Sequence, residues 1–205
     1  SPANSLTLPA LLSWVLRDAE TLTSAGMHGL LLENFGDAPF YRNRVPPLTI
    51  AFLTVLAQEV SARFPVPLGI NVLRNDARAA LAAAAASGAA FIRVNVYTGA
   101  RLTDQGIIQG EAHRVQRYRA ALGCSVRVFA DVAVKHSTAL APRPLAEEVE
   151  DTVVRGRADA IIVTGAATGQ AAPLEDLRTA RAAAAETPCL AGSGAVPERL
   201  AEILS

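Results

Sequence analysis

In two short stretches of the chain, aliphatic positions alternate with positions that are mostly polar. In Phe91–Val96, FIRVNV, the apolar Ile92, Val94 and Val96 interleave with Phe91, Arg93 and Asn95. In Val126–Asp131, VRVFAD, the apolar Val126, Val128 and Ala130 interleave with Arg127, Phe129 and Asp131. A period of two predicts a β-strand with unlike faces. Long apolar segments of helical spacing flank both stretches, so helices are expected on one face and an enclosed space on the other. Polar residues that gather toward the C-terminal end of such strands fit a parallel α/β barrel, whose inner face opens onto a site at its carboxyl mouth.

The remaining chain reads as further copies of this unit. Leu11, Leu12, Val15, Leu16, Ala19 and Leu22 recur at helical spacing, predicting a helix over Leu8–Ala25 that Gly26 stops. Gly29–Glu33 is a short buried strand. Asn34–Pro47, NFGDAPFYRNRVPP, is a long loop of the kind that forms lids or binding segments. Leu48–Phe64 is helical, Pro67–Val72 a strand, and Asp76 the N-cap of an alanine-rich helix over Ala77–Ser87. After FIRVNV, Tyr97–Gln105 reads as a polar loop and Ile107–Leu122 as a helix leading into VRVFAD. Then follow a helix over Leu145–Arg157, a strand over Asp159–Thr164, a small-residue loop at Gly165–Gly169 and a helix over Pro173–Glu186. Cys189–Ala191 is a strand, Gly192–Gly194 a tight turn, and Pro197–Leu204 the closing helix.

Six strands therefore alternate with helices at a spacing of about 30 residues. The expected fold is a (β/α)8 TIM barrel forming a single α/β domain over residues 1–205. A closed eightfold barrel needs two more strands, the first and the eighth; either the sheet is open or, as expected here, these strands belong to a longer protein.

Composition narrows the classes. The 205 residues are 51% hydrophobic and 19% charged, which excludes a disordered chain. Nineteen basic residues balance nineteen acidic ones, so no nucleic-acid footprint or anionic-membrane surface is indicated. No apolar run is long enough for a membrane span and no signal peptide is visible, so a cytoplasmic protein is expected. Cys124 and Cys189 are read as reduced packing cysteines. A homo-oligomer is compatible with the sequence.

With the helix-facing apolar residues set outward, each strand presents a polar interior residue near its mouth: Glu33, Asn71, Arg93 with Asn95, Asp131, Thr164 and Ser193. Buried charge is costly and is usually kept for binding or chemistry. The alternative is a set of interior ion pairs and capping hydrogen bonds that only stabilise the fold. Lys135, in DVAVKH beyond Asp131, suits a proton shuttle, an electrophile, an anion anchor or a surface ion pair. His28, His113 and His136 lack zinc-site spacing. Two glycine turns follow late strands, VTGAATG at Val163–Gly169 and AGSGAV at Ala191–Val196, and such turns present backbone N–H groups to phosphate.

Several longer motifs carry a family resemblance. ENFGDAPF (Glu33–Phe40), GINVLRNDARAAL (Gly69–Leu81), GAAFIRVNVYTGARLTDQGIIQG (Gly88–Gly110), ADVAVKHS (Ala130–Ser137), RADAIIVTGAATG (Arg157–Gly169) and AGSG (Ala191–Gly194) resemble the BtpA family, also called BtpA/SgcQ. The likeness runs from about Gly26 to the end of the chain. It implies a TIM barrel related to phosphate-binding barrels. It also implies a strand before the segment like Ser1-Pro2 and an eighth strand with a glycine-rich turn after Pro197–Leu204. The family's cyanobacterial namesake implies a role in photosystem I biogenesis.

Two functions are compatible with these residues. In the first, the protein is an enzyme on a small phosphorylated or otherwise anionic metabolite, with lyase, isomerase and hydrolase chemistry undistinguished. The glycine turns Gly165–Gly169 and Gly192–Gly194 would bind the anion, and Thr164 and Ser193 count among the substrate-binding residues. Asp131 or Glu33 would serve as general base or acid, and Lys135 and Arg93 would stabilise developing negative charge. Asn71 and Asn95 would orient the substrate under a lid from Asn34–Pro47. Glu33 with Asp37 in its loop loosely resembles barrel lyases of the tryptophan-synthase α type. The cofactor is unknown; Mg²⁺ held by Glu33 and Asp131 is compatible with the residue types but not implied by their spacing. In the second, the barrel is a non-catalytic assembly or stability factor whose loop aromatics contact a partner.

Overall fold

The computed structural model describes residues 7–165, 167, 169–194, 196, 198 and 203. The expected Pro197–Leu204 helix lies almost wholly outside them, as do Ala166 and Thr168 of the first glycine turn. Six helices and nine strands are assigned within this range: α1 (Leu8–Ser24), β1 (Leu30–Glu33), α2 (Pro47–Arg63), β2 (Leu68–Asn71), α3 (Ala77–Ser87), β3 (Phe91–Val94), β4 (Ala100–Thr103), β5 (Gly106–Gln109), α4 (Ala112–Leu122), β6 (Arg127–Val132), β7 (Ser137–Ala139), α5 (Leu145–Glu150), β8 (Ala160–Thr164), α6 (Leu174–Ala183) and β9 (Cys189–Gly192). The chain divides into two compact units, residues 1–93 with 117–127, and residues 94–116 with 128–205.

In the first unit β1, β2 and β3 run parallel, with Leu30 opposite Leu68, Glu33 opposite Asn71, and Gly69 opposite Phe91. β2 is buried along its whole length, as a strand of a helix-covered parallel sheet requires. The cover is tight where it is made of alanine. Ala80, Leu81 and Ala84 of α3 are fully buried, and α3 packs on both α2 and β2. Asp76 starts α3 as the sequence predicts. Its Oδ1 accepts from Ala79 N–H at 3.1 Å, and its Oδ2 accepts from Val45 N–H at 3.1 Å. One carboxylate thus satisfies a helix end and pins the loop that leads into α2. The Phe91 ring lies over Gly69, in the room a β-carbon there would occupy.

In the second unit β6, β8 and β9 are parallel, with Asp131 opposite Ile162, Val132 opposite Val163, and Thr164 opposite Gly192. Val132, Ile161 and Val163 pack with Val149, Ala180 and Ala184 in a buried core. Side chains alternate in direction along a strand. Asp131, Ile162 and Thr164 therefore share the face turned away from that core. Helix α5 runs directly into a π-helical turn over Asp151–Arg155.

The sequence reading misses one element. Residues expected as a polar loop and the start of a helix form a hairpin of β4 and β5, which β7 extends to a three-stranded antiparallel sheet. The turn Thr103–Gly106 explains it. Thr103 Oγ accepts from Gln105 N–H at 3.2 Å and donates to Gly106 O at 2.8 Å, and Gly106 takes a left-handed φ of +90°. Helix α4 accordingly begins at Ala112 and not at Ile107.

Candidate functional site

The C-terminal ends of the parallel strands carry the polar side chains expected there, and each unit gathers its own set. In the first unit Glu33 and Asn71 are register partners, and Asn71 Nδ2 donates to Glu33 Oε1 at 2.8 Å. Arg93 Nη1 reaches the same oxygen at 3.4 Å. Glu33 and Arg93 keep only 23% and 13% of their side-chain surface exposed. A charged pair so shielded, with an amide as third member, is a polarised network in a low-dielectric setting. The loop after β1 is tied to the loop after β2 through Asn34. Its Oδ1 accepts from Leu73 N–H at 2.7 Å, and its Nδ2 donates to Leu73 O at 3.2 Å and to Asp37 Oδ2 at 3.1 Å. Phe35 and Phe40 make a tilted ring contact at 6.3 Å, while Phe35 and Tyr41 are each 59% exposed. Two cavities of about 320 and 300 Å³ adjoin this region. Trp14 and Glu33 line both, Phe35 the first, and Asn34 and Asp37 the second.

In the second unit Asn95 Nδ2 donates to Asp131 Oδ2 at 3.0 Å, and both side chains are almost wholly buried. Asn95 Oδ1 and Thr164 Oγ are buried without a hydrogen-bond partner among the described residues. The loop after β6 is bent by left-handed residues, Ala133 at φ +48° and His136 at φ +54°, with Lys135 half-buried between them. Ser193, itself at φ +69°, accepts on Oγ from Gly169 N–H at 3.0 Å. A β-carbon at Gly165 or Gly194 would run into the backbone of Gln170 and Ala171. The two glycine turns thus pack on a shared loop, and Gly192 sits beside Thr164.

Of the expected site residues, the structure joins Glu33, Asn71 and Arg93, and separately Asn95 and Asp131. Asp37 is bound to Asn34, and Ser193 to the first glycine turn. His28, His113 and His136 are exposed. Among the described residues no group of three His, Cys, Asp or Glu side chains is gathered to hold an ion. No helix among them is long and apolar enough to cross a membrane. Cys124 and Cys189 are both free.

Sequence reasoning missed the polar set behind the hairpin. Tyr97 is buried, and Thr98 Oγ lies 2.9 Å from Thr152 Oγ in the π-helical turn. Arg101 Nε donates to Ser137 Oγ at 2.7 Å, and its Nη1 pairs with Glu148 at 3.2 Å. The Thr-Asp-Gln-Gly turn was the signal that could have exposed this sheet.

Comparison with known proteins agrees with this architecture. A crystal structure of phosphoribosyl anthranilate isomerase from Thermus thermophilus superposes with a TM-score of 0.54, covering 92% of this chain and 77% of that one at 16% identity. That likeness shows the fold, an α/β structure of the TIM-barrel class. The photosystem I biogenesis protein BtpA of Synechocystis is 45% identical over 197 residues, 96% of this chain and 69% of that protein. An uncharacterised protein of Pyrococcus furiosus is 44% identical over 187 residues, 91% of this chain and 70% of its own length. The sequence profile of the BtpA family matches residues 3–205, and the chain belongs to that family.

Proposed function

We propose that this chain is an enzyme acting on a small phosphorylated or otherwise anionic metabolite, bound at the C-terminal ends of its parallel strands. The observation that carries the reading is Asp131: a carboxylate 5% exposed, at the C-terminal end of β6, hydrogen-bonded to the equally buried Asn95. A carboxylate kept from water at that end of a parallel strand costs stability and suits proton transfer. In the second unit Asp131 is the acid or base, Lys135 meets developing negative charge, and Asn95 orients the substrate. Gly165, Gly192, Ser193 and Gly194 form the anion-facing edge, and Thr164 contacts another part of the substrate. In the first unit Glu33 is the corresponding acid or base, Arg93 its cationic partner and Asn71 its orienting amide. Asp37 and the exposed aromatics of the Asn34–Pro47 loop take part in substrate capture.

The test is a thermal-shift screen of the full-length protein against sugar phosphates, nucleotides and inorganic phosphate. A stabilising ligand whose effect is lost in Asp131→Asn supports the enzyme. Absence of any shift, together with a co-purifying protein partner, overturns it.

A second reading is favoured by a different observation. Trp14, Phe35 and Tyr41 of the first unit are 52%, 59% and 59% exposed. Contiguous exposed apolar groups mark contact surfaces, and Trp14 and Phe35 line one cavity; a Synechocystis relative is named for photosystem I biogenesis. Under this reading the chain is a binding module, and Trp14→Ser with Phe35→Ser abolishes partner capture while Asp131→Asn leaves it intact.

A further inference from the structure

We propose that the second unit takes hold of a polyol: the hydroxyl-bearing part of a sugar or sugar-like ligand, received by Asn95, Asp131 and Thr164. A carboxylate only accepts hydrogen bonds, so the nitrogen of the Asn95 amide has to face Asp131. That fixes the amide's orientation and turns Oδ1 the other way. Asn95 is 2% exposed and this oxygen has no partner among the described residues. Thr164 is 5% exposed, and its hydroxyl is likewise unpartnered. It stands two residues beyond Ile162, the register partner of Asp131, and on the same face. Native proteins rarely leave such buried groups unsatisfied, and those that do so call for an explanation.

The chemistry of the two orphans, Asn95 Oδ1 and Thr164 Oγ, selects the ligand. The amide oxygen can only accept, as can the Asp131 carboxylate beside it, and the hydroxyl can do both. A phosphate or carboxylate oxygen would leave Asn95 Oδ1 without a donor. An ammonium would satisfy the acceptors but leave the Thr164 proton without a partner. A hydroxyl group donates and accepts at once, and adjacent hydroxyls can donate to Asn95 Oδ1 and exchange with Thr164. This deepens the proposed function and rests on it only in requiring a small-molecule ligand. The hydroxyls go to the Asn95–Asp131–Thr164 face, and the anionic group binds apart from them.

The experiment is calorimetric titration of the full-length protein and of Thr164→Val with D-ribose, D-arabinose, myo-inositol, D-ribose 5-phosphate and inorganic phosphate, alongside ligand-free melting curves. Valine matches threonine in shape and removes only the hydroxyl. At least one neutral polyol binds the wild type, and T164V weakens it tenfold or more, while any affinity for inorganic phosphate is unchanged. The ligand-free T164V protein melts about 2 °C higher, because a buried unpaired group is gone. Failure of every neutral polyol to bind overturns the inference, and so does a T164V protein that melts lower and binds polyol as before. Phosphate binding with no polyol binding would sink this inference while sparing the anionic-metabolite reading. Polyol binding with no gain from the phosphate ester does the reverse.

Discussion

The Tyr97 hydroxyl donates to the carbonyl of Gly156 at 2.6 Å and accepts from Gln116 Nε2 at 2.8 Å, with the ring 1% exposed. This one side chain links the segment after β3, helix α4 and the end of the π-helical turn. Tyr97→Phe keeps the packing and leaves a buried carbonyl unpaired, which costs about 1–3 kcal/mol. Chemical denaturation should show that loss. The same change at exposed Tyr41 should stay within about 0.5 kcal/mol of wild type. Equal effects at both sites would mean the Tyr97 hydroxyl contributes nothing.

Asp76 separates two contributions cleanly. Each of its carboxylate oxygens takes a different backbone N–H, one from Ala79 and one from Val45. Asp76→Asn keeps one acceptor oxygen and Asp76→Ala keeps none. The alanine variant should lose about 1–2 kcal/mol for the cap alone, with a further loss for Val45. The asparagine variant should fall between it and wild type in urea-melt midpoint.

Gly194 and Gly88 both take left-handed φ, +60° and +77°. Only at Gly194 would a β-carbon strike backbone, that of Gln170 and Ala171; around Gly88 nothing lies within 4 Å. Alanine at 88 should cost about 1–2 kcal/mol, the left-handed penalty alone. Alanine at 194 should cost more, by about 1–3 kcal/mol of overpacking. Thermal melts of the two variants decide this, and equal losses would contradict the close approach.

Burial pushes the Cys189 thiol up, against a smaller opposing pull from Arg181. The folded state therefore favours the neutral thiol. Below an ordinary thiol value of about 8.5 both states are protonated and nothing is lost. As pH rises through the window above it, the unfolded chain ionises first and stability falls. Cys189→Ala should flatten that alkaline decline in melting temperature. At pH 8 Cys189 should also react slowly with iodoacetamide, because the thiolate is the nucleophile.

Much of this fold is written in local signals. Asp76 before an alanine run marks a cap, and the alternation in FIRVNV sets Arg93 apart from Ile92 and Val94. Turning the apolar residues toward the helices placed Glu33, Asn71 and Arg93 together, and Asn71 and Arg93 both bond to one Glu33 oxygen. Tyr97 was not legible, since its partner is a carbonyl 59 positions away and an aromatic after a strand says nothing of it. The β4–β5 hairpin escaped because Ile107 and Ile108 read as the start of an apolar helical face. The decisive information lay in the Thr103–Gly106 turn, where a glycine had to accept a left-handed φ. The orphaned Asn95 oxygen could not be foreseen, because it depends on which way an amide is turned.

With the Phe91 ring filling the space above Gly69, these two positions share one allotment of volume across β2 and β3. A larger residue at 69 requires the Phe91 ring to move or to shrink, and a smaller residue at 91 opens space beside 69. Drift or design therefore meets least resistance when it changes them as a pair.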